Sequence, residues 1–136
     1  MEKLTFESIN VRASDVPLRR PIVAKVGQFT EWPLILIDVQ TKEGIVGRAY
    51  LEPYIKDSVK YIAPALHDMA TKFKGRPICP ADMYREVIGS LHLIGRQGLS
   101  VIVAAGLDMA LWDALAKSAN MPLANLLGGS TGPMRA

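Results

Sequence analysis

PLILIDVQTKEGIVGRAYLE, residues 33–52, carries the plainest backbone instruction in the chain. Leu34 to Val39 and Ile45 to Leu51 are rich in strand-forming residues. Between them Thr41-Lys42-Glu43-Gly44 reads as a turn, with glycine where a positive φ is wanted. The stretch is a β-hairpin. Upstream, in KLTFESINVRAS (residues 3–14), Leu4 and Phe6 alternate with polar residues, and Ile9, Val11 and Ala13 then alternate in the opposite parity. A parity switch inside one strand predicts a bulge near Ser8. Three strands with short links imply an antiparallel sheet. Between the first strand and the hairpin runs VPLRRPIVAKVGQFTEWP (residues 16–33), with prolines at 17, 21 and 33 and Gly27. It reads as too irregular for a continuous strand and too long for a simple connection, and such loops are functional or mobile.

Past the hairpin the period changes. Ile55, Val59, Ile62, Leu66, Met69 and Phe73 recur at intervals of four and three, the apolar face of a helix that Pro64 should kink. Pro80 suits the first turn of a second helix through Met83, Val87 and Leu91. Gly95 and Gly98 break the chain before a third, which ends ahead of Pro122, and LANLL followed by Gly128-Gly129 reads as a short fourth. Strands first and helices after define an α+β domain: a three-stranded antiparallel sheet followed by a helical bundle.

Bulk properties exclude several function classes. The 136 residues are the size of one domain, and 49% hydrophobic residues suffice for a core. Sixteen basic and thirteen acidic residues are interspersed, for a net charge of +3, without the dense basic stripe of a nucleic-acid binder. Cys79 is the only cysteine, which excludes an intrachain disulfide framework and a Cys-rich zinc site. A reducing, cytoplasmic setting is expected. The opening MEKLTFESIN has charges where a signal peptide needs an apolar run, and no stretch is read as a membrane span.

The third helix, within GLSVIVAAGLDMALWDALAK (residues 98–117), poses a chemical question because it sets Asp108 and Asp113 in an apolar frame. At 100° per residue the two lie about 140° apart, so they cannot share a proton or a metal ion. Both read as structural. Asp108 stacks with Ala104 and Trp112 and would take partners from a helix end or an arginine; Asp108→Asn is expected to lower thermal stability. Gly106, Ala110 and Ala114 form a small-residue ridge suited to close approach by another helix. His67 and His92 fall on separate helices without ligand-spaced partners. Cys79, between prolines, reads as a packed small residue, and Gly44 and Gly47 lack the spacing of a phosphate loop. No catalytic residue and no metal ligand set is found.

Three motifs taken together, VPLRRPIVAKVG, PLILIDVQTKEGIVGRAYLEPY and AAGLDMALWDALAKSANMPLANLLGG, closely resemble the N-terminal domain of the enolase superfamily. Within it they are most similar to the mandelate racemase/muconate lactonizing enzyme subgroup, and in VPL-x-x-P, VG and YL-x-x-Y to its mandelate racemase branch. The resemblance covers essentially the whole chain. It implies that residues 1–128 are a capping domain and that 129–136 begin the linker to a (β/α)-barrel. In such enzymes the barrel holds Mg²⁺ on three carboxylates and carries the base that removes a proton α to a substrate carboxylate. The cap closes over the substrate, excludes water and selects among ligands.

By this resemblance the family's lid maps onto two segments. The first is Arg20 to Glu31, whose Ile22, Val26 and Phe29 would face the substrate; Tyr54, after the hairpin, would face it from the second. Both are expected to be mobile until something docks. Arg19, Arg20 and Lys25 either attract an anionic substrate or are solvated surface charge. Phe29, Glu31 and Trp32 make the loop bulkier than is usual in this branch, which argues against mandelate as the ligand. The resemblance further implies a racemase, dehydratase or cycloisomerase acting on a small carboxylate, dependent on Mg²⁺ and homo-oligomeric, without nucleic acid or membrane. This chain, read as a fragment ahead of its barrel, is expected to bind no Mg²⁺ and to be inactive alone. The competing expectation is a free-standing α+β module for self-association or partner binding.

Overall fold

The computed structural model describes residues 3–133 and has the α+β architecture the sequence predicts. Strands β1 (Phe6–Ala24), β2 (Gly27–Thr41) and β3 (Val46–Leu51) form an antiparallel sheet in the order β1-β2-β3. Helices α1 (Val59–Thr71), α2 (Pro80–Ser90), α3 (Leu99–Ser118) and α4 (Leu123–Leu126) follow. Of the expected linker, residues 129–133 form no helix or strand, and 134–136 lie outside the described residues.

Register makes one face of the sheet greasy. The rows Ile9–Val39–Gly47, Val11–Ile37–Ala49 and Ala13–Ile35–Leu51 are cross-strand partners. Partners share a face, and Ile35, Ile37 and Val39 are fully buried there. The bulge falls where expected: Phe6 pairs Thr41 but Ser8 pairs Gln40, so the inward parity shifts by one. The opposite face is mixed: Leu36 and Tyr50 lie beside Asp38, which is held by Arg12 at 2.6 Å and by Arg48 at 3.4 Å, one residue from each strand. Gly44, φ +84°, closes the β2–β3 turn, in which the Thr41 hydroxyl donates to the Ile45 carbonyl at 2.9 Å.

Helix α3 is the inner layer. Its Val103, Ala104, Leu107, Ala110, Leu111 and Ala114 are buried, alongside Ile62 and Leu66 of α1 and Met83 and Val87 of α2. Among the described residues this helix is the one long and apolar enough to cross a membrane, which the sequence reading did not recognise; in the fold its Val103, Leu107 and Leu111 lie in the core. The small-residue ridge meets the sheet rather than another helix. A Cβ on Gly47 of β3 would lie 2.1 Å from the Ala110 carbonyl oxygen and 2.7 Å from the Ala114 Cβ. A Cβ on Gly106 would lie 2.7 Å from methyls of Ile37 and Leu51.

Two further expectations are corrected. Ile55 is exposed, because it precedes the 3₁₀ turn Lys56–Ser58 and so lies outside the apolar face of α1. Cys79 is exposed at the start of α2 instead of packed, since its neighbours Ile78 and Pro80 take the inward positions. Helix α1 continues through Pro64.

The largest difference concerns residues 16–33. They form no irregular loop: β1 and β2 run on past the end of β3 as a two-stranded ribbon to a Lys25-Val26 turn, where Ala24 pairs Gly27. Prolines are tolerated because the pairing breaks where they cluster. Pro17 pairs Glu31 and Ile22 pairs Phe29, so residues 18–21 of β1 oppose Thr30 alone, an irregularity that contains Pro21. Pro33 pairs Asp15 beyond the last β2–β3 pair, Ile35 with Leu51, where β2 has an open edge.

Candidate functional site

The ribbon and the segment after β3 meet at one end of the sheet. Tyr54 is the centre of a three-residue turn in which the Ile55 N–H donates to the Pro53 carbonyl at 2.7 Å, and its φ is +64°. For a residue with a bulky side chain this left-handed conformation costs on the order of 1–3 kcal/mol and persists only where the surroundings enforce it. Ser58 is one enforcer. A serine immediately before an apolar helix reads as an N-cap, yet this one makes no cap bond. Its buried hydroxyl lies 2.8 Å from the Pro53 carbonyl oxygen and 2.6 Å from that of Ile55, bracing the turn from behind.

From this turn the Tyr54 ring extends to the edge of Trp32, with centroids 6.4 Å apart and planes at 84°; Trp32 in turn meets Phe29 at 5.9 Å and 78°. Edge-to-face pairs of this kind contribute about 0.5–1.5 kcal/mol beyond the area they bury. Below the aromatic line, Lys56 Nζ lies 2.5 Å from Asp15 Oδ2 on β1 and 3.7 Å from Glu31 Oε1 on β2. The hydrogen bond to Asp15, with the charges of Asp15 and Glu31, holds the Lys56 ammonium above its usual pKa. A cleft of about 260 Å³ opens here between Phe29, Glu31, Tyr54 and Lys56.

Of the four residues the lid mapping names, Phe29 and Tyr54 are joined through Trp32. Ile22 is the cross-strand partner of Phe29 and shares its face, 43% exposed. Val26 stands apart in the turn at the ribbon tip, 85% exposed. Sequence reasoning saw Trp32 only as bulk and missed Ser58 and Lys56. The signal for Lys56 was weak: its partners Asp15 and Glu31 are 41 and 25 residues away in sequence, and only strand pairing brings them together.

The two aspartates of α3 differ. Asp113 Oδ2 accepts the backbone N–H of Arg48 at 2.6 Å and the Lys117 ammonium at 2.5 Å, tying α3 to β3. The helix-end or arginine partner expected for Asp108 is not found at either aspartate: Asp113 takes a strand N–H and a lysine. Burial pushes the Asp108 carboxyl above its usual pKa, a shift that hydrogen bonding from Trp112 partly offsets. Its neighbours are Met83, Tyr84, Val87 and Leu111. His67 and His92 are exposed; His92 Nδ1 is 2.9 Å from Arg96 Nη2.

Among the described residues no three His, Cys, Asp or Glu side chains converge as a metal site would require. Several carboxylates already face cations: Asp38 faces Arg12 and Arg48, Asp15 and Glu31 face Lys56, and Asp113 faces Lys117. This donor set does not fit a divalent ion.

Comparison with known proteins bears on the fold and the family. An enolase from the alpha proteobacterium bal199, solved with bound Mg, superposes with a TM-score of 0.90 at 52% sequence identity, over 95% of this chain and 36% of that one. An enolase from Bradyrhizobium complexed with magnesium and mandelic acid gives a TM-score of 0.92 at 34% identity, over all of this chain and 38% of its own. D-galactonate dehydratase from Klebsiella pneumoniae is 28% identical over 109 residues, 77% of this chain and 28% of the dehydratase. The chain thus spans about a third of the length of these relatives. Residues 7–128 match the family described as mandelate racemase/muconate lactonizing enzyme, N-terminal domain. With the sheet, the helical layer and nine-tenths of the sequence in agreement, the chain belongs to the N-terminal domain family of the mandelate racemase/muconate lactonizing enzymes of the enolase superfamily.

Proposed function

We propose that this domain is the specificity cap of an enzyme that removes the proton α to a carboxylate, as a racemase or a dehydratase. The observation that carries the reading is the convergence of Phe29, Trp32 and Tyr54 from two chain segments at the exposed end of the sheet. Family membership supplies the context, and the relatives' mandelic acid complex and dehydratase activity supply the substrate class. Mg²⁺ dependence is proposed for the rest of the enzyme, on the strength of the metal in the related structures. No residue of this chain is assigned to the ion.

In this reading the chain's own work is steric and electrostatic. Phe29 and Ile22 close over the apolar part of a ligand, the Tyr54 hydroxyl offers a hydrogen bond from the other side, and the ribbon excludes water. Each apolar side chain that becomes buried contributes roughly 1.5–3 kcal/mol, enough to separate two ligands tenfold or more. A cytoplasmic setting and homo-oligomerisation belong to the same proposal. The second is supported by Leu93 and Ile94, which stand side by side and are 96% and 79% exposed.

The test is substrate ranking. In the enzyme carrying this domain, Phe29→Ala and Tyr54→Phe are expected to reorder kcat/KM across 2-hydroxy acids and sugar acids by about tenfold, with Mg²⁺ affinity unchanged. Equal losses for every substrate would refute the lid assignment.

A further inference from the structure

Up to residue 33 the β1–β2 ribbon has no third strand beside it, since β3 pairs β2 only from Ile35 to Gln40. The Tyr54 turn has no strand partner either, lying between the end of β3 and the 3₁₀ turn. Two segments with so little support of their own would move independently unless something joins them. Two contacts of different chemistry do so, one on each side of Ile55. Before it, the Tyr54 ring meets Trp32 of β2; after it, Lys56 reaches Asp15 of β1 and Glu31 of β2. The left-handed backbone of Tyr54 adds an independent argument, because a conformation that costs free energy needs outside contacts to persist.

We propose that Trp32 and Lys56 are positioning residues that lock the ribbon and the Tyr54 turn into one specificity surface. Phe29 and Tyr54 then select ligands as a unit, with the spacing between their rings fixed by the indole between them. Selection as a unit rests on the lid reading above; the mechanical coupling does not, and can be measured without substrate.

The measurement is residue-resolved amide hydrogen exchange on the 136-residue chain at neutral pH. The reporters are the Ile55 and Ser58 amides, bonded to the Pro53 and Ile55 carbonyls, together with the ribbon amides of residues 28–32. Trp32→Leu is expected to raise exchange at Ile55 and Ser58 about tenfold, although it lies in the other segment, while Trp32→Phe, which keeps a ring edge, retains most of the protection. Lys56→Met is expected to raise ribbon exchange roughly threefold and Lys56→Arg to leave it nearly unchanged; high salt should mimic Lys56→Met but not Trp32→Leu. Amides of residues 35–39 serve as the control and should not change. Lys56 is largely exposed, so its variants report even where a Trp32 variant fails to fold.

Effects confined to the mutated segment would overturn the proposal. So would equal acceleration at the control amides, which would mean general destabilisation. In the enzyme, the effects of Phe29→Ala and Tyr54→Phe on kcat/KM should be non-additive with Trp32 present and additive in Trp32→Leu. Coupled exchange with an unchanged substrate ranking would sink the lid reading and leave the coupling standing; a changed ranking with uncoupled exchange would sink the coupling alone.

Discussion

Asp113 illustrates how a single carboxylate becomes structural. Its Oδ2 takes the Arg48 N–H on one side and the Lys117 ammonium on the other, so a strand, a helix and a charge are satisfied together. Asp113→Ala removes the acceptor of a strand N–H at the solvent-exposed edge of the helix, and should lower stability by about 1 kcal/mol in urea unfolding at neutral pH. Asp108 lies about 140° round the helix and meets mostly apolar neighbours. Its folded pKa is raised, so its ionised form is disfavoured in the fold; that penalty is absent below the unfolded value and grows as pH rises through the folded one. Asp108→Asn should therefore leave the melting temperature at neutral pH unchanged or slightly raised, and flatten the loss of stability with rising pH across that window. This reverses the direction expected from sequence, because at Asp108 burial among apolar side chains outweighs the one hydrogen bond, from Trp112, that favours the charged form. The angular separation of the two carboxylates was legible in the chain. Which one would find a strand N–H was not, because that depends on what docks against each side of the helix.

Elements meet through small residues. Gly47 of β3 sits against the backbone of α3, where a methyl group would have to displace the Ala110 carbonyl. Gly106 of α3 faces side chains rather than backbone, the Cδ1 methyls of Ile37 and Leu51 and the Leu51 Cγ, which would have to shift within the core. Gly47→Ala should thus cost about 3 kcal/mol or prevent folding, as overpacking against rigid backbone does. Gly106→Ala should cost roughly 1 kcal/mol or less, since side-chain repacking is offset by the better helix propensity of alanine. Paired thermal melts of the two variants check this, and equal losses would refute it. The ridge of Gly106, Ala110 and Ala114 was visible in the sequence as a close-approach surface, but its partner was not, because strands and helices both exploit a row of missing side chains. The prolines of residues 16–33 misled for a related reason. A two-stranded ribbon with exposed faces imposes no inside–outside alternation, so the period-2 signal that marked the hairpin at 33–52 had no counterpart there.

The whole molecule divides into a packed body and a projecting ribbon. The body buries the inner faces of the sheet and of α1, α2 and α3 in one core, whereas residues 16–31 contribute no buried side chain. Local opening should therefore cost far less free energy in the ribbon than in the body. Trypsin is expected to cut first after Arg19 or Lys25, the bond after Arg20 being protected by Pro21, and to leave residues 34–128 intact at that stage. An initial cut inside α1 or α3, read by mass spectrometry, would contradict this division. The sequence by itself determined the antiparallel sheet, the bulge near Ser8, the order of the four helices and the family, because each is written in short-range periodicity, turn residues or contiguous motif. The family resemblance named Ile22, Val26, Phe29 and Tyr54 as the lid, which remains a proposal. Only the tertiary structure decided that the segment between the first strand and the hairpin is a ribbon, that Trp32 links Phe29 to Tyr54, and that Lys56 joins Asp15 and Glu31. Those contacts span tens of residues, and their free energy exists only once strand pairing has brought distant side chains within a few ångströms of one another.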